Sequence, residues 1–339
     1  MTDRAVNFER LRGIRCGACG HEWHVDAVWL ERFDQGYESC PQCRTDCRLE
    51  RRPDFWALDD DAVNAPELAR DLYWYHSSAH ANWPDPAFDP TAAFTDVTRR
   101  RFDSIGAPGA LERWAARQKT KALHLGTYEA AIENMLRRMS DQDAAADQFY
   151  LYRVRLAPGT VIDAALRPEP TDFLGDVQFS DVGAPDAEVL RYVNTHEDPS
   201  SVSLAVSLSA IGAVQGVPIP LPTEATDLWI ANATARLLEA SGRPSRTPSN
   251  QLERMRRSMP SALSDAAREL EKEAAGMLPL GLRDRLDFGW READMANNPA
   301  TFPSKIAGLV QLVRNPPAIF AALDKEPWRT ISRDHLLES

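Results

Sequence analysis

The spacing of apolar and polar residues predicts that the middle of the chain is rich in β-strands. Phe149–Leu156 is a run of aromatic and aliphatic residues interrupted by arginines, and Pro158 and Gly159 follow it, which predicts a strand that ends in a turn. The run 202–208 alternates serines with valine and leucine, as in a half-buried strand. Shorter apolar runs predict three further strands, at 72–76, 121–125 and 191–194.

A helical spacing follows the strand at 121–125 and dominates the C-terminal third of the chain. Thr127 can cap a helix over 128–139, and helix-forming residues fill 261–277 as far as Gly276, where we expect the helix to end. Two shorter helices are predicted on either side of a pair of prolines, at 306–313 and 319–323.

Short strands with small helices between them predict a mixed α+β domain over 66–222, rather than a doubly wound parallel sheet. We expect a helical C-terminal region over 223–339, with a flexible linker or loop at 240–251, where Ser, Pro and Gly concentrate. All five cysteines lie within residues 1–52, which predicts a separate N-terminal module.

Charge and composition exclude some classes of partner. The 339 residues include 39 Lys and Arg and 50 Asp and Glu, a net charge of −11, so no global basic field draws the chain onto nucleic acid or an anionic membrane. The uncharged stretch 199–223 is long enough to cross a bilayer, but its serines and its period of two favour a strand. The first residues lack a secretory signal, so we expect a cytoplasmic protein whose thiols stay reduced.

Two C-x-x-C pairs predict a metal site. Cys16 and Cys19 form the first pair, Cys40 and Cys43 form the second, and 20 residues separate them. Each pair can present two thiolates from a tight turn, and four thiolates satisfy tetrahedral zinc, so we expect Cys47 to be buried or free. The strings CGACGHEWHVDAV and SCPQC around these pairs resemble zinc-ribbon domains.

The sequence leaves the role of this ribbon open. The side chains of residues 1–52 sum to no net charge, and four thiolates around zinc add about −2, which disfavours a phosphate-binding surface. The favoured interpretation is therefore a module that stabilises the fold or that forms a docking surface for a partner protein. Nucleic-acid binding is the alternative, through one local basic cluster: Arg44, Arg48, Arg51 and Arg52.

The chain has no P-loop, GxGxxG, GxSxG or HExxH string, so the sequence motifs of several common enzyme classes are missing. Polar groups occur instead in three separate strings: His76 in YWYHSS, His124 and Tyr128 in ALHLGTYEAA, and Glu197 in NTHEDPSS. In this order they resemble the three motifs of the diphtheria-toxin-like ADP-ribosyltransferases, which follow one another as His, Tyr and Glu on a split β-sheet. The resemblance covers residues 72–208.

That resemblance implies an enzyme that uses NAD as its substrate and transfers ADP-ribose to a protein or nucleic-acid acceptor. It implies that Glu197 is the catalytic carboxylate, and that His76, with Ser77, grips the ribose and the nicotinamide amide. Either Tyr128 or His124 is then the group that stacks on nicotinamide. The resemblance also implies a bacterial toxin or a phage-defence effector.

These residue types suit the chemistry, because breaking the nicotinamide–ribose bond develops positive charge on the ribose, which a carboxylate stabilises. A neutral histidine can donate to sugar hydroxyls without adding a full charge. The rival interpretation is a non-catalytic zinc-ribbon adaptor. In that case these residues only pack in the core or face solvent, and the ribbon or the helical tail binds a partner protein. The two hypotheses differ in whether His76, the second-motif group and Glu197 converge on one cleft.

Overall fold

A computed structural model of the chain has a mixed α+β fold, as the sequence predicts. It describes residues 1–58, 66–92, 94–105, 108–141, 148–170, 177–179, 182, 186–222, 227–243, 261–285 and 298–331. The predicted linker at 240–251 falls largely outside these residues, and its first two residues belong to the end of a helix.

The N-terminal module contains a small antiparallel sheet. Its strands are β1 (Arg12–Cys16), β2 (Glu22–Val25) and β3 (Pro53–Trp56), arranged in the order β2-β1-β3. Helix α1 (Ala27–Asp34) follows β2 along the chain. This small sheet and the cysteines around it are compatible with a zinc ribbon.

Two four-stranded sheets form the centre of the molecule. Their strands, in chain order, are β4 (Trp74–Ser78), β5 (Leu123–Leu125), β6 (Phe149–Leu156), β7 (Ile162–Pro168), β8 (Val189–Val193), β9 (Val202–Val206), β10 (Ile211–Ile219) and β11 (Arg329–Thr330). The first sheet has the order β11-β10-β6-β4 and the second has the order β5-β9-β8-β7. The sheets are joined where Tyr75 of β4 exchanges two backbone hydrogen bonds, of 3.0 and 2.9 Å, with Gly126 just after β5. We call this junction the seam.

Helices surround the sheets, and most of them come from the C-terminal third. They are α2 (Asp96–Ile105), α3 (Ala110–Thr120), α4 (Tyr128–Asp141), α5 (Leu228–Ser241), α6 (Ala262–Gly276), α7 (Thr301–Arg314) and α8 (Pro316–Leu323). The predicted cap of α4 is confirmed, because the Thr127 hydroxyl accepts the Ala130 N–H at 2.8 Å. Ser261 likewise caps α6 by accepting the Ser264 N–H at 3.0 Å.

The core has two main layers. Ile132 of α4 and Leu151 of β6 share one buried cluster with Leu237 of α5, Leu270 of α6 and Ile306 of α7. The C-terminal helices therefore bury their apolar faces against the central part of the chain. A second cluster, which includes Trp74, Val154, Leu204 and Val214, combines residues of both four-stranded sheets.

The predicted strand at 149–156 coincides with β6, and those at 72–76, 121–125 and 191–194 are displaced by two residues or fewer. The prediction of a half-buried strand at 202–208 is wrong in its burial, because all five residues of β9 are buried. Ser203 is buried there because its hydroxyl accepts a hydrogen bond from the Asn194 carboxamide at 3.0 Å.

The sequence analysis did not predict β7 and β10. Strand β10 contains Gly212, Gly216 and Pro218, which are residue types that strands disfavour. The small residue at 216 is nevertheless required, because a Cβ there would lie 2.6 Å from the ring of Tyr152 on β6. Strand β7 lies at the edge of its sheet and has no fully buried residue, although Ile162 and Leu166 pack against the second core cluster.

The uncharged stretch 199–223 contains β9, as predicted, and also the unpredicted strand β10. Among the described helices, none is by itself both long and apolar enough to cross a membrane. Helices α7 and α8 meet that test only when taken together, and they are bent by 94° at the break between them. Their residues Ile306, Leu312 and Leu323 are fully buried in the core.

Candidate functional site

The four predicted zinc ligands lie together beside the N-terminal sheet. Four sulfur atoms all lie within 4.8 Å of one another: those of Cys16, Cys19, Cys40 and Cys43. Both C-x-x-C pairs form the same turn. The Gly20 N–H donates to the Cys16 carbonyl at 2.8 Å, and the Arg44 N–H donates to the Cys40 carbonyl at 3.0 Å. Gly20 and Arg44 both have left-handed φ values, 73° and 62°.

The sulfur spacing fits a tetrahedral zinc ion. Zn–S bonds of about 2.3 Å place neighbouring sulfur atoms roughly 3.8 Å apart. The sulfurs of Cys16 and Cys43 are 3.6 Å apart, and those of Cys19 and Cys40 are 3.7 Å apart. Hydrogen bonds from Thr45 lower the pKa of the Cys43 thiol to about 6, whereas hydrogen bonds with the other cysteines contribute to raising the pKa of the Cys19 thiol. The four cysteines can therefore hold a metal ion, and Cys47 is buried outside the set.

The second group of predicted residues lines a cleft at the seam. Its volume is about 70 Å³. Polar side chains reach it from both sheets, from α4 and from the loop after β8: His76, Ser77, His124, Asn134, Tyr192, Asn194, Glu197 and Ser203. The structure thus brings His76, His124 and Glu197 together in one place.

Glu197 is buried, and its carboxylate is held from one side. Its Oε1 accepts hydrogen bonds from Asn134 Nδ2 at 3.1 Å, and from Nε and an Nη of Arg137 at 2.8 and 2.6 Å. Asn134 and Arg137 are three residues apart on α4, so they face the same side of that helix. Among the described residues no donor contacts Oε2 of Glu197, so this oxygen can accept a hydrogen bond from a ligand.

The loop that holds Glu197 is shaped by local hydrogen bonds. The Asn194 side chain accepts the backbone N–H groups of His196 and Glu197 at 3.0 and 2.9 Å. Asp198 and Ser200 adopt left-handed φ values of 50° and 69°, a conformation that costs a non-glycine residue roughly 1–2 kcal/mol. The loop therefore keeps this shape only because the surrounding structure holds it.

His76 is neutral and oriented. Its ring stacks on Trp83 with a centroid distance of 4.0 Å, and its Nδ1 lies 2.8 Å from the carbonyl oxygen of His124, to which it donates. Burial lowers the pKa of His76 to about 3. Because the single proton of a neutral imidazole is then on Nδ1, Nε2 can only accept. The expectation that this histidine donates to a sugar hydroxyl is corrected, since a bound hydroxyl would donate to it.

The two candidates for the second motif occupy different environments. His124 lines the cleft, and its Nδ1 forms a 2.9 Å hydrogen bond with the Tyr192 hydroxyl. Burial lowers the pKa of His124. Tyr128 is buried in the core instead, and its hydroxyl donates at 2.7 Å to the carbonyl of Leu312 in the last turn of α7, whose carbonyl groups lack helical partners. The proposed role of Tyr128 in stacking on nicotinamide therefore does not fit its position in the structure.

Sequence analysis missed four polar residues that line the cleft, Asn134, Tyr192, Asn194 and Ser203. It also missed Arg137, which pairs with Glu197. The spacing of Asn134 and Arg137 on a helix that follows the second motif was an available indication, because a buried carboxylate needs donors nearby. Nothing in the sequence indicated Tyr192, which lies on a strand that is buried throughout. Ser77 was predicted, and its hydroxyl lies 3.3 Å from the Asn134 side-chain oxygen.

The cleft combines hydrogen-bond acceptors with aromatic rings around a small volume. One carboxylate oxygen of Glu197 and Nε2 of His76 can accept hydroxyl protons, and the aromatic rings of His76, His124 and Tyr192 surround a small volume. The function must be inferred from this chemistry, because no protein-family model, no curated protein and no solved structure matches the chain.

Proposed function

We propose that this chain is an NAD-dependent mono-ADP-ribosyltransferase, which cleaves the nicotinamide–ribose bond and transfers ADP-ribose to a protein or nucleic-acid acceptor. One observation carries the proposal: His76, His124 and Glu197, which give the sequence resemblance, line a single cleft. The fold proposed with it is an ADP-ribosyltransferase-like split sheet over 66–222. Two four-stranded sheets that are joined between Tyr75 and Gly126 support that assignment.

Glu197 has the central role in the proposed reaction. When the ribose C1′–N bond breaks, its electron pair leaves with nicotinamide, and the ribose acquires oxocarbenium character. Oε2 of Glu197 accepts the hydrogen bond of the ribose 2′-hydroxyl, while Asn134 and Arg137 fix the other oxygen. The Glu197 carboxylate stabilises the developing cation with the part of its charge that the ion pair to Arg137, at 2.6 Å, leaves uncompensated. The acceptor then forms a bond to C1′ and loses a proton.

In this proposal the nicotinamide end of NAD enters the cleft. A volume of about 70 Å³ excludes a whole dinucleotide, so only part of the nicotinamide end is enclosed and the remainder lies along the opening. Neutral His76, held against Trp83, offers Nε2 as an acceptor, and His124 is the second-motif group in this proposal. Neither histidine adds a positive charge that would oppose the ribose cation, because burial lowers the pKa of both.

The first test measures nicotinamide released from NAD by the full-length, zinc-loaded protein. We expect Glu197→Gln to lower the release rate by at least about 100-fold, because the neutral amide cannot stabilise the cation. NAD binding, measured by calorimetry, should partly survive. Glu112→Gln is the matched control, because Glu112 lies on the surface of α3 and should leave the rate unchanged. A Glu197→Gln protein with normal turnover would refute the assignment.

The acceptor is identified by mass spectrometry of proteins and nucleic acids from a cell extract after incubation with NAD. A mass increase of one ADP-ribose on an acceptor, present with the wild-type chain and absent with Glu197→Gln, is the expected result. If the wild-type chain releases no nicotinamide even with the extract present, the enzyme proposal fails. The zinc-ribbon adaptor is then the better interpretation.

A further inference from the structure

We propose that strand β1 of the N-terminal module positions the Glu197 carboxylate, so that activity of the cleft depends on the folded, metal-bound module. This inference rests on the proposed function, because it assigns a role within the same site. Its starting point is the short segment 197–200, here called the Glu197 loop, which contacts Arg10, Arg12 and Gly13.

The first contact is made by two arginines with the residue after Glu197. Asp198 is 1% exposed, and its Oδ1 accepts Arg10 Nε at 3.0 Å and lies 3.3 Å from an Nη of Arg12. Its Oδ2 accepts the Thr127 hydroxyl at 2.8 Å. Arg12 is itself buried, so the Asp198 charge is compensated mainly by groups that belong to the N-terminal module.

The second contact is made by Ser200 with the backbone of β1. The Ser200 hydroxyl donates to the Gly13 carbonyl at 2.8 Å and accepts the Gly13 N–H at 3.0 Å. Ser200 is fully buried, so water cannot replace these two hydrogen bonds without opening the interface. The Glu197 loop is thus fixed to β1 by a charge contact and by a backbone contact.

These contacts affect Glu197 directly because only one peptide bond separates it from Asp198. Asp198 and Ser200 have left-handed φ values of 50° and 69°, and such conformations persist only where neighbouring groups hold them. If β1 releases the loop, Asp198 and Ser200 can relax, and the Glu197 backbone moves with them. A displacement of about 1 Å at a reacting group can lower a rate by about 100-fold.

The metal site connects to the same strand. Strand β1 contacts the Glu197 loop at its first two residues, Arg12 and Gly13, and ends at Cys16. A zinc ion held by the four cysteines therefore fixes the opposite end of the same short strand. Small zinc-bound modules commonly lose their fold with the metal. The module is therefore assigned a role inside the molecule, in addition to any partner that its outer surface binds.

Arg12→Met tests the arginine contact, with Arg15→Met as the control. Arg15 lies on the same strand, pairs with exposed Glu22 and stacks on Trp56. We expect Arg12→Met to lower kcat for nicotinamide release by about 10–100-fold while the KM for NAD changes by less than about threefold. Arg12→Lys should recover part of the lost kcat because it restores a positive charge beside Asp198. Equal kcat in the two methionine variants would overturn the proposal.

Hydrogen exchange supplies a measurement that does not depend on activity. Amides of Asp198, Ser200 and Ser201 are hydrogen-bonded, so the peptide covering 194–201 should be protected in the wild-type chain. Arg12→Met should raise exchange in this peptide and leave the core strand β6 protected, whereas Arg15→Met should change neither. If the wild-type chain is inactive, the proposed function fails, and the exchange result still decides whether β1 holds the loop.

Ser200→Gly is a second variant in case Arg12→Met does not fold. Glycine tolerates the left-handed φ of this position, so the change removes the two hydrogen bonds to Gly13 without adding strain. We expect faster exchange over 194–201 and a lower kcat. Unchanged exchange together with unchanged kcat would contradict a positioning role for β1.

Removal of zinc tests the link to the metal site. Cys43→Ser is compared with Cys47→Ser, because Cys47 lies outside the four-cysteine set. Elemental analysis should find one zinc per chain in Cys47→Ser and less in Cys43→Ser. The zinc-depleted chain should show the same rise in exchange over 194–201 as Arg12→Met. A zinc-depleted chain that keeps full protection there and full kcat would overturn the link.

Discussion

Glu133 is expected to make the protein less stable as the pH rises towards and beyond neutrality. It lies on α4, is 4% exposed, and accepts the Asp198 N–H at 2.9 Å. Burial and the charge of Asp198 raise its pKa while Arg285 and Arg12 lower it, and the resulting pKa is about 7. The buried carboxyl group is therefore protonated in the folded protein at a pH where it is ionised in the unfolded chain.

The sign and size of the effect follow from that difference. Glutamate ionises near pH 4.5 in the unfolded chain and near 7 in the folded protein. A pKa raised by folding adds stability that is fully present below the unfolded value and is lost as the pH rises through the folded value. The interval of about 2.5 pH units corresponds to about 3 kcal/mol of unfolding free energy, lost between pH 4.5 and 7.

Glu133→Gln removes this titration and keeps the shape of the side chain. Urea unfolding of the two proteins at pH 5, 6, 7 and 8 gives the difference in unfolding free energy at each pH. We expect this difference, variant minus wild type, to rise by about 1–3 kcal/mol from pH 5 to pH 8. Glu239→Gln on the exposed face of α5 should give a flat difference. A flat difference for Glu133→Gln as well would refute the reasoning.

Two further predictions concern the seam and the second motif. Gly126→Ala should lower the unfolding free energy by about 1–3 kcal/mol in urea titrations, because a Cβ at this position would lie 2.7 Å from Ala130 Cβ. Gly276→Ala is the control and should not lower it, because the space around Gly276 is open. Tyr128→Phe should lower the unfolding free energy by about 1–2 kcal/mol and leave the rate of nicotinamide release unchanged. His124→Ala should lower that rate, because His124 lines the cleft. A lower rate in Tyr128→Phe would show that Tyr128 belongs to the site.

The parts of the fold that sequence analysis predicted correctly are those whose determinants are local. Thr127 begins α4 because its hydroxyl caps the first turn, and Ser261 does the same for α6. The prolines at 316 and 317 were predicted to lie between two helices, whereas Pro316 begins α8, because proline is tolerated in the first turn of a helix. Each of these features depends on residues that are close together in the sequence.

The parts that were missed depend on residues from distant segments. Strand β10 exists despite its two glycines and its proline because β6 and β11 pair with it, and Gly216 leaves space for the Tyr152 ring. Ser203 alternates with apolar residues as an exposed residue would, yet it is buried because Asn194 binds it. No local pattern contains this information.

For the candidate site, the sequence suggested His76, His124 and Glu197 but did not show that they meet. It also left Tyr128 and His124 as equal candidates, and only the packing of Tyr128 against α7 separates them. The donors that hold Glu197 are Asn134 and Arg137, and their spacing on one face of α4 does not by itself identify the carboxylate that they bind. Their role follows from the position of α4 beside the loop after β8.

The amino-acid sequence alone determined the residue types and spacings that make chemistry possible here: four thiols spaced for one metal ion, and a histidine, an aromatic position and a glutamate in order. The tertiary structure alone decided that the seam brings the latter groups together and that β1 contacts Asp198 and Ser200. The physical reason is range. Capping and metal-ligand spacing act over a few residues, whereas burial, charge compensation and cleft geometry depend on which distant surfaces share the core.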